Sequence, residues 1–350
     1  MGKSTSRNYH VGGICFSVEL CSPYSFMEYS LSVKERISRS ATGEPSDAVP
    51  VRAGDHVPAR TLITTKDELT PGSDKWSFDM SQYEPFYVEN PSSVDFHLKV
   101  TAPVPDPGSD GLEMLINVND NEPNFTIYSD GPDSVFRFCG YDGSVVAVLN
   151  LSADSSEAVF QPVMRDGKVL SSSALYYFLT TSLMLVFTYQ AALHDTLLVH
   201  SSVVCHDGEA NMFLGKSGTG KSTHSSLWLK HVPGSELLND DNPVVRVWPD
   251  GRIICYGSPW SGKTPCYKND EAPAGAFVRI RRCAENKIER LDIFNSYASL
   301  YSSSSGFKAD RTMAEGLHST FEAVAMNVPC YVLDCRPDEE AAKVCSEAVL

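Results

Sequence analysis

Positive charge is what this chain of 350 residues has least to spare: 29 Lys and Arg stand against 44 Asp and Glu, a net of −15. No basic run is present to neutralise a phosphodiester backbone, which argues against a nucleic-acid partner. The deficit is uneven. Residues 1–195 carry 13 basic and 25 acidic side chains, and residues 196–350 carry 16 and 19, so the halves stand at −12 and −3. C-x-x-C spacing is also missing, although there are ten cysteines. The closest pairs in sequence, Cys15/Cys21 and Cys330/Cys335, fit neither a zinc knuckle nor a disulfide framework. They read as reduced, mostly buried thiols of a cytoplasmic protein. MGKSTSRNYH lacks the apolar core of a signal peptide, and no internal repeat is evident.

One stretch could pass for a membrane span. Residues 169–193 carry no charge, and ALYYFLTTSLMLVFTYQAAL is long enough to cross a bilayer. Thr180, Thr181, Ser182, Thr188 and Gln190 favour instead a helix buried between two domains, and no membrane partner is expected.

The strongest feature is ANMFLGKSGTGKSTHSSLWLK, residues 210–230. Ala210 to Leu214 reads as a buried strand. Gly215-Lys216-Ser217-Gly218-Thr219-Gly220-Lys221-Ser222 matches G-x-x-x-x-G-K-[ST] in full, and a helix follows from Ser222 and Thr223. Glycines at 215, 218 and 220 permit positive φ, so that backbone N–H groups can turn inward on a phosphate. The helix N-terminus adds partial positive charge at the same point. Lys221 would reach the β/γ-phosphates, and the Ser222 hydroxyl would sit on Mg²⁺. The pattern predicts binding of a nucleotide triphosphate.

Downstream, Glu236-Leu237-Leu238-Asn239-Asp240-Asp241 is an apolar approach ending in two acids, 19 residues from Lys221 to Asp240. A carboxylate at a strand end facing a phosphate loop is where Mg²⁺ is held. A second carboxylate beside it could take the proton of an attacking hydroxyl; which is which stays open. His200 falls within TLLVHSSVVC, read as one strand from Thr196 to Cys205. A lone histidine in an apolar strand is ordinarily a hydrogen-bonded core residue. Ser261-Gly262-Lys263-Thr264 lacks the upstream glycines of a second phosphate loop, though Lys263 could still reach a phosphate.

The remainder is organised simply. Residues 9–161 read as mostly β, with runs such as YHVGGICFSVEL, RTLITT, KWSFDM, DFHLKV and SVVAVLNL separated by Pro/Gly and Asp-Gly turns. Residues 39–58 and 101–111 read as irregular loops. His206 to Glu209 joins two strands of a hairpin, and Pro249-Asp250-Gly251 turns a second one. AFVRIRR, residues 276–282, reads as a solvated basic edge strand. Helices are expected around 292–303 and 308–326, a strand over 330–333 and a helix from Pro337.

LLVHSSVV, FLGKSGTGKST and LLNDD, with YGSPWSGKTPCYKNDEAP, together resemble the HPr kinase and ATP-dependent phosphoenolpyruvate carboxykinase superfamily, over residues 195–335. The resemblance implies an α/β fold class: a C-terminal kinase core (196–350) whose phosphate loop lies in a sheet unlike the parallel Ras type. A β-rich accessory domain (1–168) and a connecting helix (169–195) would precede it. It places His200 near the phosphate-transfer centre, keeps Lys221 and Ser222 in their loop roles, and makes Asp240 and Asp241 metal ligand and general base. The glycine-rich RGLGIIDV-type run of true HPr kinases has no counterpart here.

The expected protein is therefore an ATP- and Mg²⁺-dependent phosphotransferase acting on a hydroxyl of a protein, peptide or small molecule, with a homo-oligomer left open. A nucleotide-sensing regulator without turnover and a carboxykinase-like enzyme are the other readings.

Overall fold

The computed structural model describes residues 4–27, 68–69, 77–118, 124–140, 142–262, 264–306 and 311–350. RTLITT, the loop over 39–58, the Pro71-Gly72 turn and Lys263 lie outside the described residues. The fold is mixed α/β, with two large sheets and helices packed on them.

In the first sheet, YHVGGICFSVEL is a hairpin rather than one run. Strands β1 (Ser4–Val11) and β2 (Ile14–Cys21) pair antiparallel around Gly12 and Gly13, whose φ values of 56° and 82° suit the hairpin turn. β3 (Phe96–Val100), β4 (Glu113–Val118), β5 (Asn124–Asp130), β6 (Asp133–Cys139), β7 (Val145–Leu151) and β8 (Glu157–Met164) are its other long strands, and the two-residue strands Tyr87–Val88 and Val104–Pro105 pair with β1 and β8. The order is β1-β2-β3-β8-β7-β6-β5-β4, antiparallel except that β3 runs parallel to both β2 and β8. β3 shows why the sequence pairs this way: Phe96, Leu98 and Val100 are buried while His97 and Lys99 face out.

Helix α1 (Ser172–Leu193) starts at Ser171, whose hydroxyl accepts the Ala174 N–H. Its Leu175, Phe178, Leu179, Leu183, Val186 and Phe187 are buried in one cluster with Phe16, Phe96, Phe138 and Phe160 of the sheet. Two of its hydroxyls are satisfied within the helix: Thr181 and Ser182 donate to the carbonyls of Tyr177 and Phe178 one turn back. Among the described residues no helix is long and apolar enough to cross a membrane.

The second sheet begins with a break. TLLVHSSVVC, read above as one strand, is two: β9 (Thr196–Leu198) and β10 (Ser201–His206). β9 pairs with β13 (Val244–Val247), whereas β10 pairs with β11 (Glu209–Leu214) and β12 (Glu236–Asp241). The chain changes pairing partners at Val199 and His200, so His200 stands outside both strands. The order is β9-β13-β14-β15-β11-β10-β12, with β14 spanning Ile253–Tyr256 and β15 Glu271–Arg282. β16 (Lys287–Arg290) pairs with β17 (Cys330–Cys335), which lies parallel to the end of β15.

β15 is interior, not an edge strand: its first residues pair with β14, its middle with β11 in parallel, and its last six with β17. Helices α2 (Lys221–His231) and α5 (Glu339–Val349) share a core with Phe213, Val278, Ile280 and Leu333. Phe277 and Met212 pack with Leu300 of α3 (Ile293–Ser303) and Leu317 and Phe321 of α4 (Arg311–Asn327). Side chains alternate along β15, so Phe277 and Val278 feed opposite layers. The parallel trio β11, β15 and β17 all end toward the 215–220 loop, the edge where open α/β sheets take ligands.

Candidate functional site

The site is built where β11 turns into α2. Gly215, Gly218 and Gly220 have φ of 154°, 78° and 112°, outside the ordinary range of side-chain-bearing residues. An added Cβ at Gly215 would run into the Thr219 hydroxyl, whose own hydrogen goes to the Lys216 carbonyl at 2.8 Å. Gly220 occupies the N-cap of α2 with no side-chain cap, leaving the first N–H groups of the helix to whatever lies in front of them. Lys216, Ser217 and Gly218 are exposed at the crest of the loop, and Ser222 and Thr223 are exposed on the first turn of α2. Arg282, at the end of β15, donates to the carbonyls of Thr219 (3.3 Å) and Gly218 and ties the outside of the loop to the sheet.

Lys221 points inward and is only 8 % exposed. Its Nζ donates to the Gly215 carbonyl at 3.0 Å and lies 3.0 Å from His200 Nε2. Burial pushes its pKa down, opposed by the charges of Asp241 and Asp240. The same Nε2 lies 3.2 Å from Asp241 Oδ1. One imidazole nitrogen thus stands between a buried ammonium and a carboxylate. His200 is held there through its backbone, whose N–H donates to the Ser303 carbonyl at 2.7 Å.

Asp240 and Asp241 close β12 and have different surroundings. Asp240 is buried and its Oδ1 accepts the Ser222 hydroxyl at 2.9 Å. A carboxylate and a hydroxyl oxygen side by side at a helix N-terminus are the donor type a hard divalent cation takes. Asp241 is half-buried, and its φ of 149° is strained for a residue with a Cβ. Its Oδ2 accepts the Asn242 side-chain N–H at 2.9 Å. Among the described residues no group of three or more His, Cys, Asp and Glu is gathered as a metal cluster.

Two residues here carried no usable sign in the sequence. Gly262 donates its N–H to the Asp240 carbonyl at 2.6 Å, and a Cβ there would sit 3.1 Å from both that oxygen and Asp241 Cβ. The neighbouring Ser261 hydroxyl lies 3.2 Å from the same carbonyl. The G-K-T tripeptide was visible; its closeness to the paired acids was not. Arg279, expected to be solvated, is half-buried, and donates to the hydroxyls of Ser299 (2.7 Å), Ser302 and Ser303 (both 2.8 Å) on α3. Arg281 does face out, gripping Asp334 with two bonds of 2.7 and 2.6 Å.

No family model matches the chain, and no curated protein matches it. Among solved structures the chain is similar to the Hpr(Ser) kinase/phosphatase from Coxiella burnetii, at 10% identity over 43% of this chain and 89% of that one, with a TM-score of 0.26. A likeness of that size carries no argument about activity.

Proposed function

We propose that this protein is an ATP- and Mg²⁺-dependent kinase that transfers a γ-phosphoryl group to a hydroxyl of a protein, peptide or small molecule. The observation that carries the reading is the convergence of Lys221, His200, Asp241, Asp240 and Ser222 at the mouth of one glycine loop, within 3.2 Å links. The loop amides from Gly215 to Ser222 and the buried ammonium of Lys221 would hold and neutralise the transferring phosphoryl group. Ser222 and Asp240 would hold the divalent cation, which when bound neutralises phosphate charge.

Asp241 faces away from that pair toward His200, which suits it to accept the acceptor's proton. The hydroxyl oxygen then bonds to the γ-phosphorus as the bond to the β-phosphate oxygen breaks, and ADP leaves. His200 Nε2 stands within reach of both Asp241 and Lys221, accepting from the lysine when unprotonated and donating to the aspartate when protonated. The different partners of the two aspartates, Ser222 for Asp240 and His200 for Asp241, support this division of roles.

The test is incubation of the purified chain with γ-labelled ATP, Mg²⁺ and a lysate of its own cell, following the label. Lys221→Ala is expected to lose tight ATP binding. Asp241→Asn is expected to keep binding while turnover falls by about 10²- to 10⁴-fold, the range for a lost general base. Wild-type transfer by Asp241→Asn would remove the base assignment.

A further inference from the structure

Beside the glycine loop lies a cleft of about 450 Å³, bounded by the loop and first turn of α2 on one side and the ends of β15 and β17 on the other. That volume is within the range of small-molecule sites, roughly 300–1,000 Å³. Thr219, Gly220 and Thr223 line its side next to the loop, so a ligand whose phosphates fill the loop has the cleft beside it. Its walls are hydrocarbon and sulfur: Leu227, Ile280, Cys283, Cys335 and Pro337. Two guanidinium groups reach the rim, and both are committed elsewhere. Arg282 holds the Gly218 and Thr219 carbonyls, and Arg336 pairs with Asp338 and Glu340, each at 2.8 Å. His224 also borders the cleft, but its Nε2 accepts the Trp228 indole N–H at 3.2 Å and its Nδ1 is buried away from solvent.

Resting on the nucleotide reading above, we infer that this cleft is a nucleoside slot that holds a purine ring by its faces without reading its edge, so that ATP and GTP are bound alike. The physical reason is the character of the walls. Apolar side chains and flat guanidinium groups favour the faces of an aromatic ring. Telling a 6-amino from a 6-oxo group takes hydrogen-bonding groups aimed at the ring edge, and a hydrophobic pocket without them discriminates weakly.

Cys283 gives a reporter, because its side chain is exposed where it borders the slot. The full-length protein with Mg²⁺ would be treated with iodoacetamide alone and with ATP, GTP or inorganic tripolyphosphate, reading Cys283 alkylation by mass spectrometry and affinity by calorimetry. ATP and GTP should bind within about threefold of each other and both slow alkylation. Tripolyphosphate should bind at least about tenfold more weakly and leave the alkylation rate unchanged. Leu227→Glu should weaken both nucleotides by about tenfold and spare tripolyphosphate, whose retained binding reports a folded loop.

Protection of Cys283 by tripolyphosphate equal to that by ATP would overturn the slot while leaving the phosphate loop intact. A preference above about tenfold for either purine would overturn edge-blind binding. Failure of all three ligands to bind would overturn the slot together with the nucleotide reading beneath it.

Discussion

Trp260 donates its indole N–H to the Tyr83 hydroxyl at 3.1 Å, joining residues 177 positions apart. Tyr83 also shares a 2.7 Å hydrogen bond with Thr180 of α1, and the Trp260 ring packs against Phe187 at 4.8 Å between centroids. Trp260 therefore belongs to the core of the first sheet, although its chain neighbours serve the second. Its carbonyl accepts the Asn242 N–H at 3.1 Å, immediately after Asp241, and Ser261 and Gly262 follow it against Asp240. The first sheet is thereby a buttress for the paired acids.

Tyr83→Phe tests this buttress without opening a cavity. It takes away the buried acceptor of the Trp260 N–H, while Thr180 keeps the Gln82 side-chain N–H at 3.2 Å, and should cost about 1–3 kcal/mol in urea unfolding. Turnover should fall by more than ATP affinity, since the acids depend on Trp260 and the loop amides do not. Equal losses in both would place the buttress elsewhere.

The strain at Asp241 makes a second test. A residue with a Cβ at φ 149° is held there against its own preference, whereas glycine adopts that backbone freely. Asp241→Gly should therefore be more stable than Asp241→Ala by about 1 kcal/mol or more, with both inactive. Denaturation midpoints of the two variants decide it. Ala equal to Gly would mean that the strain is not carried by this residue.

Much of this was legible in the sequence, and where it was not the reason is physical. Glycine spacing, a strand before it and a helix after it express local backbone demands, so the 215–222 loop and α2 could be read directly. The hairpin at Asp207 and Gly208 was equally local. The break at His200 was not, because Val199 and Ser201 are both buried and apolar patterning does not register a change of strand partner. β15 was taken for an edge strand for a similar reason. Arg279 and Arg281 look alike in sequence, but one faces the serines of α3 and the other faces Asp334. The closeness of Gly262 to Asp241 is a tertiary contact that no local pattern encodes.

Lys221 carries a pH prediction. Burial lowers its pKa below the ordinary lysine value, with the two aspartates opposing the shift. In the proposed reaction the ammonium form is the one that neutralises phosphate, so kcat/KM should fall on an alkaline limb below the pKa of free lysine. Lys221→Arg, protonated throughout the accessible range, should lose activity overall but lose this limb as well. An alkaline limb unchanged in the arginine variant would assign it to another group.

His224 carries the last prediction, on stability rather than chemistry. It is 2 % exposed, its ring meets Phe213 edge-on at 4.7 Å, and burial pushes its pKa down to about 4 from 6.5. The folded state keeps the ring neutral while the unfolded chain takes up a proton as pH falls below 6.5. The unfolded state then binds more protons, so stability is full above pH 6.5 and declines between 6.5 and about 4, with no further loss from this group below that. Complete titration across that window corresponds to about 3 kcal/mol. His224→Phe removes the titrating group and leaves the Trp228 N–H without its acceptor, so it should start less stable at pH 7.5 by about 1–3 kcal/mol. The gap to wild type should close as pH is lowered to about 5, because only wild type carries the penalty of charging a buried imidazole. Urea midpoints of both proteins across this range measure it directly, and parallel curves would show that another group governs the acid limb.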